Sequence, residues 1–353
     1  MPDYIYYLQS YAMRHGIKTL FTLFTLITLS GCAGILSKSD KTYAVGFYNL
    51  EKLYDSKANA RNMDYTPTGT MKWDDERYQH KLKNLAQAIV TIGGKDGPAV
   101  LGITEAESRK VLDELVQTPP LKKKKYQVIH FESEDPLGLD VALLYNPKRF
   151  KPTLQKVVKV DYPQRNFKGK DILLVKGMMA GEPVTIFVNH WPANYGNTRQ
   201  GNRNRQAAAT KLRQQINAEL KTNPDANIIV MGDFDEEPKS KILQQTLKAN
   251  GRPNPLYKDE LFNTFYINYV QGLGSYYKRG DFKMLDQVLV SKGLLDSKGL
   301  EYVMGSAEIH DPEFLKYTFG KYKNTPRTTY SGTTYIGGFS DHFPVFIKVK
   351  VEK

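Results

Sequence analysis

Eight side chains in this sequence are of types that hold a cation or move a proton, and they gather at the expected ends of apolar runs, before or after them: Asn49, Glu105, His190, Asp233, Asp235, Asp286, Asp341 and His342. Residues 228–238 show the pattern best, with four apolar residues, Gly232 as a turn former, and then Asp233 and Asp235 two residues apart. Carboxylates held that close repel unless a cation or a proton lies between them. A solvated acidic loop would explain this stretch taken alone. Five carboxylates converging in one place need a cation, and oxygen ligands favour a hard ion: magnesium, with manganese or calcium as alternatives, in one or two copies. Two histidines without cysteine partners argue against structural zinc. Such a set suits phosphoryl transfer to water, with a metal stabilising charge on the phosphate, a carboxylate orienting or deprotonating water, and histidines donating to phosphoryl oxygens.

Strands must deliver these residues, because ligand sites in α/β sheets lie beyond strand ends. Apolar and aromatic content between turn residues predicts strands at 43–49, 98–105, 126–131, 141–145, 171–176, 184–189, 228–231, 262–270, 283–291 and 343–349. Helices are expected at 75–92, with Tyr78, Leu82, Leu85, Ala86 and Ile89 on one stripe, and at 108–116, 198–220 and 239–247. Residues 56–73 read as a long loop. The helices are too few to join every strand pair by a crossover, which predicts mixed sheets in an α/β (α+β) fold, two sheets packed together with helices outside. Neither an internal repeat nor a second change of composition divides residues 43–353, so one domain is expected, monomeric and without a protein partner.

Of the 353 residues 41% are hydrophobic, enough for a sizeable core, and the 50 basic against 37 acidic residues give a formal charge of +13. That balance suits a polyanionic partner: nucleic acid, a phosphorylated small molecule or an anionic membrane surface. The amino terminus differs from the rest. Arg14 and Lys18 precede an apolar run at 19–29 that is too short to span a bilayer, so residues 1–31 read as a signal peptide. The segment before Met13, with Tyr4-Ile5-Tyr6-Tyr7, suits neither a signal peptide nor a domain and points to Met13 as the start. Leu29-Ser30-Gly31-Cys32 resembles the bacterial lipobox, and Cys32 is the only cysteine. Lipidation of Cys32, a tether at 32–42 and a place in the bacterial cell envelope, on the periplasmic face or the cell surface, are the expectations. An incidental cysteine at a cleavage site is the alternative. A single cysteine also rules out an internal disulfide framework.

Read in order, Asn49, Glu105, His190, Gly232-Asp233-Phe234, Leu285-Asp286 and Ser340-Asp341-His342 resemble the endonuclease/exonuclease/phosphatase superfamily. Its members include pancreatic-type deoxyribonucleases, abasic-site endonucleases, sphingomyelinases and inositol polyphosphate phosphatases. The resemblance implies a DNase I-like four-layer α/β sandwich over nearly all of the mature chain. It implies that Glu105 is the principal metal ligand, with Asn49 and Asp341 in the same ion region. Asp233 would orient or activate water, Asp286 would orient His342, and His190 would donate to a phosphate oxygen. The family places Asn where this chain has Asp235 and Gln where it has Thr104, so the role of Asp235 stays open, an acid being able to bind metal instead. Arg199, Arg203, Arg205, Lys323 and Arg327 either bind substrate phosphates or are solvated surface charges. The function expected is metal-dependent hydrolysis of phosphodiesters by an exported nuclease. The alternatives are a phosphatase or phospholipase-like enzyme acting on a small phosphorylated molecule or lipid headgroup, and a catalytically silent binding protein.

Overall fold

Apolar residues on both faces of a strand require a packed layer on each side of it. In the computed structural model, which describes residues 41–57, 61, 63–164, 166–193, 198–254 and 256–351, β1 (Thr42–Leu53) has that character: Val45 and Phe47 point one way, Ala44 and Tyr48 the other, and all four are buried. The expected signal peptide, the start at Met13 and the lipidation site Cys32 lie outside the described residues. After β1 come α1 (Asp75–Thr91), β2 (Val100–Ala106), α2 (Arg109–Gln117), β3 (Gln127–His130), β4 (Asp140–Tyr145), β5 (Phe150–Val158), β6 (Ile172–Met179), β7 (Glu182–His190), α3 (Thr198–Thr222) and β8 (Ile228–Asp233). The remainder holds β9 (Ala249–Asn250), β10 (Leu261–Asn263), α4 (Tyr266–Val270), β11 (Tyr276–Lys278), β12 (Asp281–Lys283), β13 (Asp286–Val290), β14 (Leu300–Tyr302), β15 (Glu308–Ile309), β16 (Tyr330–Ser331), β17 (Thr334–Tyr335) and β18 (Val345–Val351).

Two large mixed sheets result. One runs β14-β18-β1-β2-β4-β3, with β15 also paired to β18, and the other runs β5-β6-β7-β8-β13-β10-β9. Parallel pairs (β1 with β2, β7 with β8, β9 with β10) sit among antiparallel ones. Val45, Phe47, Val100 and Leu143 of the first sheet pack against Ile186, Ile229, Met231 and Val288 of the second. A Cβ at Gly102 would lie 2.6 Å from Met231 Sδ, so a glycine lets the sheets close at that point. Helices α1 and α2 cover the outer face of the first sheet, and α3 covers that of the second. These are the four layers of the expected sandwich.

The helix ends follow local chemistry. Asp74 caps α1, its side chain accepting from Arg77 N at 3.0 Å, and Ser108 caps α2. Among the described residues no helix is long and apolar enough to cross a membrane. Three expected elements take another form. Residues 262–270 are not one strand: the Asn263 side chain accepts from Phe265 N at 3.1 Å, turning the chain after β10 and into α4. Residues 239–247 form only a wide five-residue helical turn at Ile242–Thr246. The expected strand at 283–291 is broken after Lys283 and resumes as β13. Strand β5 was not anticipated, because its burial pattern shows only the two end residues buried and no apolar run announces it.

Candidate active site

Register carries the candidate residues to one place. In the second sheet β8 lies between β7 and β13, with Asp233 paired to His190 on one side and to Asp286 on the other. These three side chains therefore form a row across three strand ends. In the first sheet Asn49 pairs with Thr104, beside an irregularity that brings out Glu105. Gly232 is not a turn former as its sequence suggested. It lies within β8, and a Cβ there would come 2.4 Å from the Asn189 carbonyl oxygen, so glycine allows β8 to close on β7 immediately before Asp233.

Asn49 joins the two sheets. Its Nδ2 donates to Glu105 Oε1 at 3.2 Å and to Asp233 Oδ2 at 3.1 Å, while its Oδ1 accepts from Glu51 N at 2.9 Å. Carboxylates need a donor and the Glu51 N–H needs an acceptor, so these neighbours fix the amide's orientation. Asn49 thus braces two acids through its nitrogen, while its oxygen accepts one backbone bond and keeps a second lone pair on the side of the expected ion.

His342 is built into the other side. Its Nδ1 meets Asp286 Oδ2 at 2.6 Å, and its ring stacks on Tyr276 with centroids 4.6 Å apart. Ser340 Oγ donates to the Asn49 carbonyl at 2.7 Å and accepts from His342 N at 3.1 Å, fastening the Ser-Asp-His turn to β1. His342 Nε2 then stands 3.9 Å from Asp233 Oδ2 and 4.0 Å from Asp341 Oδ1. From the opposite direction His190 Nε2 lies 4.0 Å from the same Asp233 oxygen and 3.8 Å from Glu105 Oε1. These separations exceed a direct hydrogen bond and suit an intervening oxygen.

The two histidines are held in opposite charge states. Burial would lower His342, but Asp286 and then Asp341 override it and keep the imidazole well above its usual range. Burial, then Lys170 and His342, hold His190 well below, and His190 Nδ1 has no partner among the described residues. Asp233 is pushed up to about 7 by burial and by Asp286. Asp341 is likewise pushed up, by partial removal from water, its side chain being 40% exposed, and then by the neighbouring acids Glu51 and Glu105. These are acids short of a counter-cation. Asp233, Asp286 and His342 form a compact acid–histidine group among the described residues, but Asp286 and His342 satisfy each other, which leaves Glu105 and Asp341 as the oxygen donors suited to a hard ion.

Some of the left-handed non-glycine residues lie here. Glu51, Lys52, Glu105 and Asp235 adopt φ of 51°, 54°, 63° and 46°, a left-handed conformation that costs a non-glycine residue roughly 1–2 kcal/mol. At Glu105 the turn lets Oε2 accept from Lys52 N at 2.9 Å. Glu51 was not anticipated as a site residue. Its carboxylate accepts from Thr328 Oγ1 at 2.6 Å and Thr329 N at 2.7 Å, and it faces Lys81 Nζ at 3.6 Å. The signal was an acid two residues beyond Asn49 at the same strand end. Lys81, on α1 and only 1% exposed, donates to Thr329 Oγ1 and the Phe339 carbonyl, a role its place in an amphipathic stripe does not reveal.

The arginines separate into different fates. Arg205 is 2% exposed, and its guanidinium binds Asp235 at 2.8 Å, Glu236 at 2.6 Å and the Pro192 carbonyl at 2.9 Å. The expectation that Arg205 binds substrate phosphate is therefore corrected: its donors are spent inside the protein. Asp235 is held by the same guanidinium, which it shares with Glu236, so one cation serves two carboxylates. Arg199 and Arg203 are exposed on the outward face of α3, where they line a cleft of about 850 Å³ with Asn202, Gln206 and Lys211. Arg327 is half-buried over the Phe339 ring at 5.1 Å, one residue from the Thr328 that touches Glu51.

This geometry agrees with comparisons to known proteins. The model of the Endonuclease/Exonuclease/phosphatase family matches residues 44–351, and the chain belongs to that family. Its members hydrolyse phosphate esters, which makes this protein a hydrolase of the phosphodiesterase/phosphatase type. No curated protein matches the chain by sequence. The human Nocturnin catalytic domain, solved with a bound sulfate anion, superposes with a TM-score of 0.53 at 16% identity over 89% of this chain and 96% of that one. Truncated Caenorhabditis elegans TDP2 gives 0.52 at 14% identity, covering 88% and 98%. A family member from Bacteroides thetaiotaomicron gives 0.51 at 14%, covering 89% and 99%.

Proposed function

We propose that the protein is a divalent-metal-dependent phosphodiesterase, exported and anchored through a lipid on Cys32, with nucleic acid as its substrate. The observation that carries the reading is Asp233 standing between a neutral His190 and a cationic His342, whose Nε2 atoms lie 4.0 Å and 3.9 Å from one carboxylate oxygen. A magnesium or manganese ion held by Glu105 and Asp341 would supply charge stabilisation at the phosphoryl oxygens. Asp233 orients the attacking water and accepts its proton, for which an acid pushed up to about 7 is well matched. His342, kept cationic by Asp286, donates a charge-assisted bond to the developing negative charge, and neutral His190 donates a second from the opposite side. The formal charge of +13 favours a polyanion over a neutral headgroup.

The test is hydrolysis of bis(4-nitrophenyl) phosphate and plasmid DNA with magnesium or manganese, then with chelator, beside 4-nitrophenyl phosphate. Metal-dependent cleavage of both diesters is expected. Turnover of the monoester alone would give the phosphatase reading, and no turnover with any metal would sink the enzymatic one. Cys32→Ser should move the protein from the membrane to the soluble fraction. An unchanged distribution would overturn the anchor.

A further inference from the structure

One rim of the site is formed by two hairpin-like segments whose surface has no structural purpose yet assigned. The first is β11–β12, with Lys278 and Arg279 at its tip. The second is the loop from Lys316 to Pro326, closed by Tyr317 N donating to the Thr325 carbonyl at 3.0 Å and Asn324 N to the Tyr317 carbonyl at 2.9 Å. Rings tie the two together. Tyr276 lies against His342; Tyr277, on the opposite face of β11, meets Tyr322 at 6.4 Å, and Tyr322 meets Tyr317 at 6.0 Å. Tyr317 returns the band to the site, near enough to Glu51 for that acid to raise its phenol after burial does. At the outer edge Phe319 is 83% exposed.

Cations interleave with the rings. Lys278, Arg279, Lys321 and Lys323 are exposed, and none has a carboxylate partner among the described residues, whereas the nearby Lys283 and Lys316 are ion-paired. An apolar face meant for burial would not be set among four cations that lack an acid, one of which, Lys321, already lies over the Tyr322 ring at 4.8 Å and leaves its other face for a base. Flat rings alternating with point charges match a polyanion whose units each offer a π-face. A duplex hides those faces inside its stack, and a single strand exposes them.

We propose that this aromatic–cationic rim is a binding surface for single-stranded nucleic acid. Unstacked bases lie on Tyr277, Tyr322 and Phe319, and the phosphates are held by Lys278, Arg279, Lys321 and Lys323, feeding the strand to the centre at His342. This rests on the phosphodiesterase reading for what happens to the strand, but the binding itself does not need turnover.

The experiment is fluorescence anisotropy of a labelled 12-nucleotide oligothymidylate and of a 12-base-pair duplex, in chelator, over a range of salt. Wild type should bind the single strand more tightly than the duplex. Tyr322→Ala should weaken single-strand binding by about 5- to 100-fold, the range found for loss of one stacking partner. Lys321→Gln with Lys323→Gln should lower the slope of log K against log salt by about 1.4, two single-strand phosphate contacts. Turnover of bis(4-nitrophenyl) phosphate should be unchanged in both variants, as it is too small to reach the rim. Affinity within twofold of wild type in both variants, or a duplex bound as tightly as the single strand, overturns the proposal. So does loss in these variants of binding to vesicles of phosphatidylglycerol and phosphatidylcholine with oligonucleotide binding intact, which would make the rim a membrane contact. If wild type binds the strand as described but cleaves no diester with any metal, the catalytic reading fails and the rim assignment stands.

Discussion

Asp286→Asn is the sharpest test of the histidine's role. Asp286 is fully buried, its Oδ2 meets His342 Nδ1 at 2.6 Å, and its Oδ1 has no partner among the described residues. With charge centres roughly 4 Å apart and an effective dielectric of about 20, the pair is worth about 4 kcal/mol, equivalent to about three factors of ten in rate if it acts only in the transition state. Asparagine keeps an oxygen that can accept from Nδ1 but brings an amide N–H₂ to a place with no acceptor, so part of the interaction survives. The expected fall in kcat/KM is about 10²- to 10³-fold, mostly in kcat. The pH profile should also change. Asp286 raises His342, so its removal lets the imidazolium lose its proton at lower pH, and activity should decline earlier on the alkaline side. The assay is bis(4-nitrophenyl) phosphate hydrolysis across pH, with the Asp286→Asn/His342→Gln double variant completing a cycle. The double variant should be no slower than His342→Gln alone, because the acid acts through the histidine. Losses that multiply, or Asp286→Asn within threefold of wild type, would refute the reasoning.

Glu105→Gln should reduce turnover by more than the roughly 10- to 100-fold typical of residues that only orient ligands, and manganese should raise Tm for wild type but not for this variant. An equal manganese shift in both would remove Glu105 from the metal site. Arg205→Ala leaves Asp235 and Glu236 without their cation and should destabilise the fold by about 3 kcal/mol in urea unfolding, whereas Arg203→Ala should stay within about 0.5 kcal/mol. Similar midpoints for the two would contradict the buried cluster. His310, bonded through Nε2 to Thr91 Oγ1 at 2.8 Å, is lowered by burial from 6.5 to about 4. The unfolded chain therefore binds the additional proton between those values, and stability should drop by about 2 kcal/mol from pH 7.5 to pH 5 on this account. His310→Gln should flatten that part of the pH–stability curve, and an unchanged slope would show the histidine is already charged when folded.

The strand ends could be read from sequence because Glu105, His190 and Asp233 follow apolar runs while Asp286, Asp341 and His342 precede them, and such runs in strands buried on both faces are strong signals. Residues 228–233 and 184–190 are the clearest cases, and the pairing of Asp233 with His190 follows once the strands are adjacent. What could not be read is partnership across the chain. Arg205 looked like a phosphate ligand because its type allows it, and only folding brings Asp235, 30 residues away, to its guanidinium. Glu51 and Lys81 were similarly hidden, the first behind Asn49 and the second inside a helix stripe. Gly232 read as a turn because the chain's local signal is the same whether glycine permits a bend or a close approach. Short elements such as β11 and β14 carry too few residues for any periodicity to show.

The pairing of β1 with β18 joins one of the earliest strands to be synthesised with the last of them. Asp341 and His342 immediately precede β18, so they are the final pieces of the centre to leave the ribosome, and Ser340 can fasten them to Asn49 only after nearly three hundred intervening residues exist. Until then Asp233 and Glu105 face one another without the imidazolium or the second oxygen donor. A growing chain would therefore carry the acids of a hydrolytic centre in an inert form, and the step that confers activity would be the docking of one C-terminal strand.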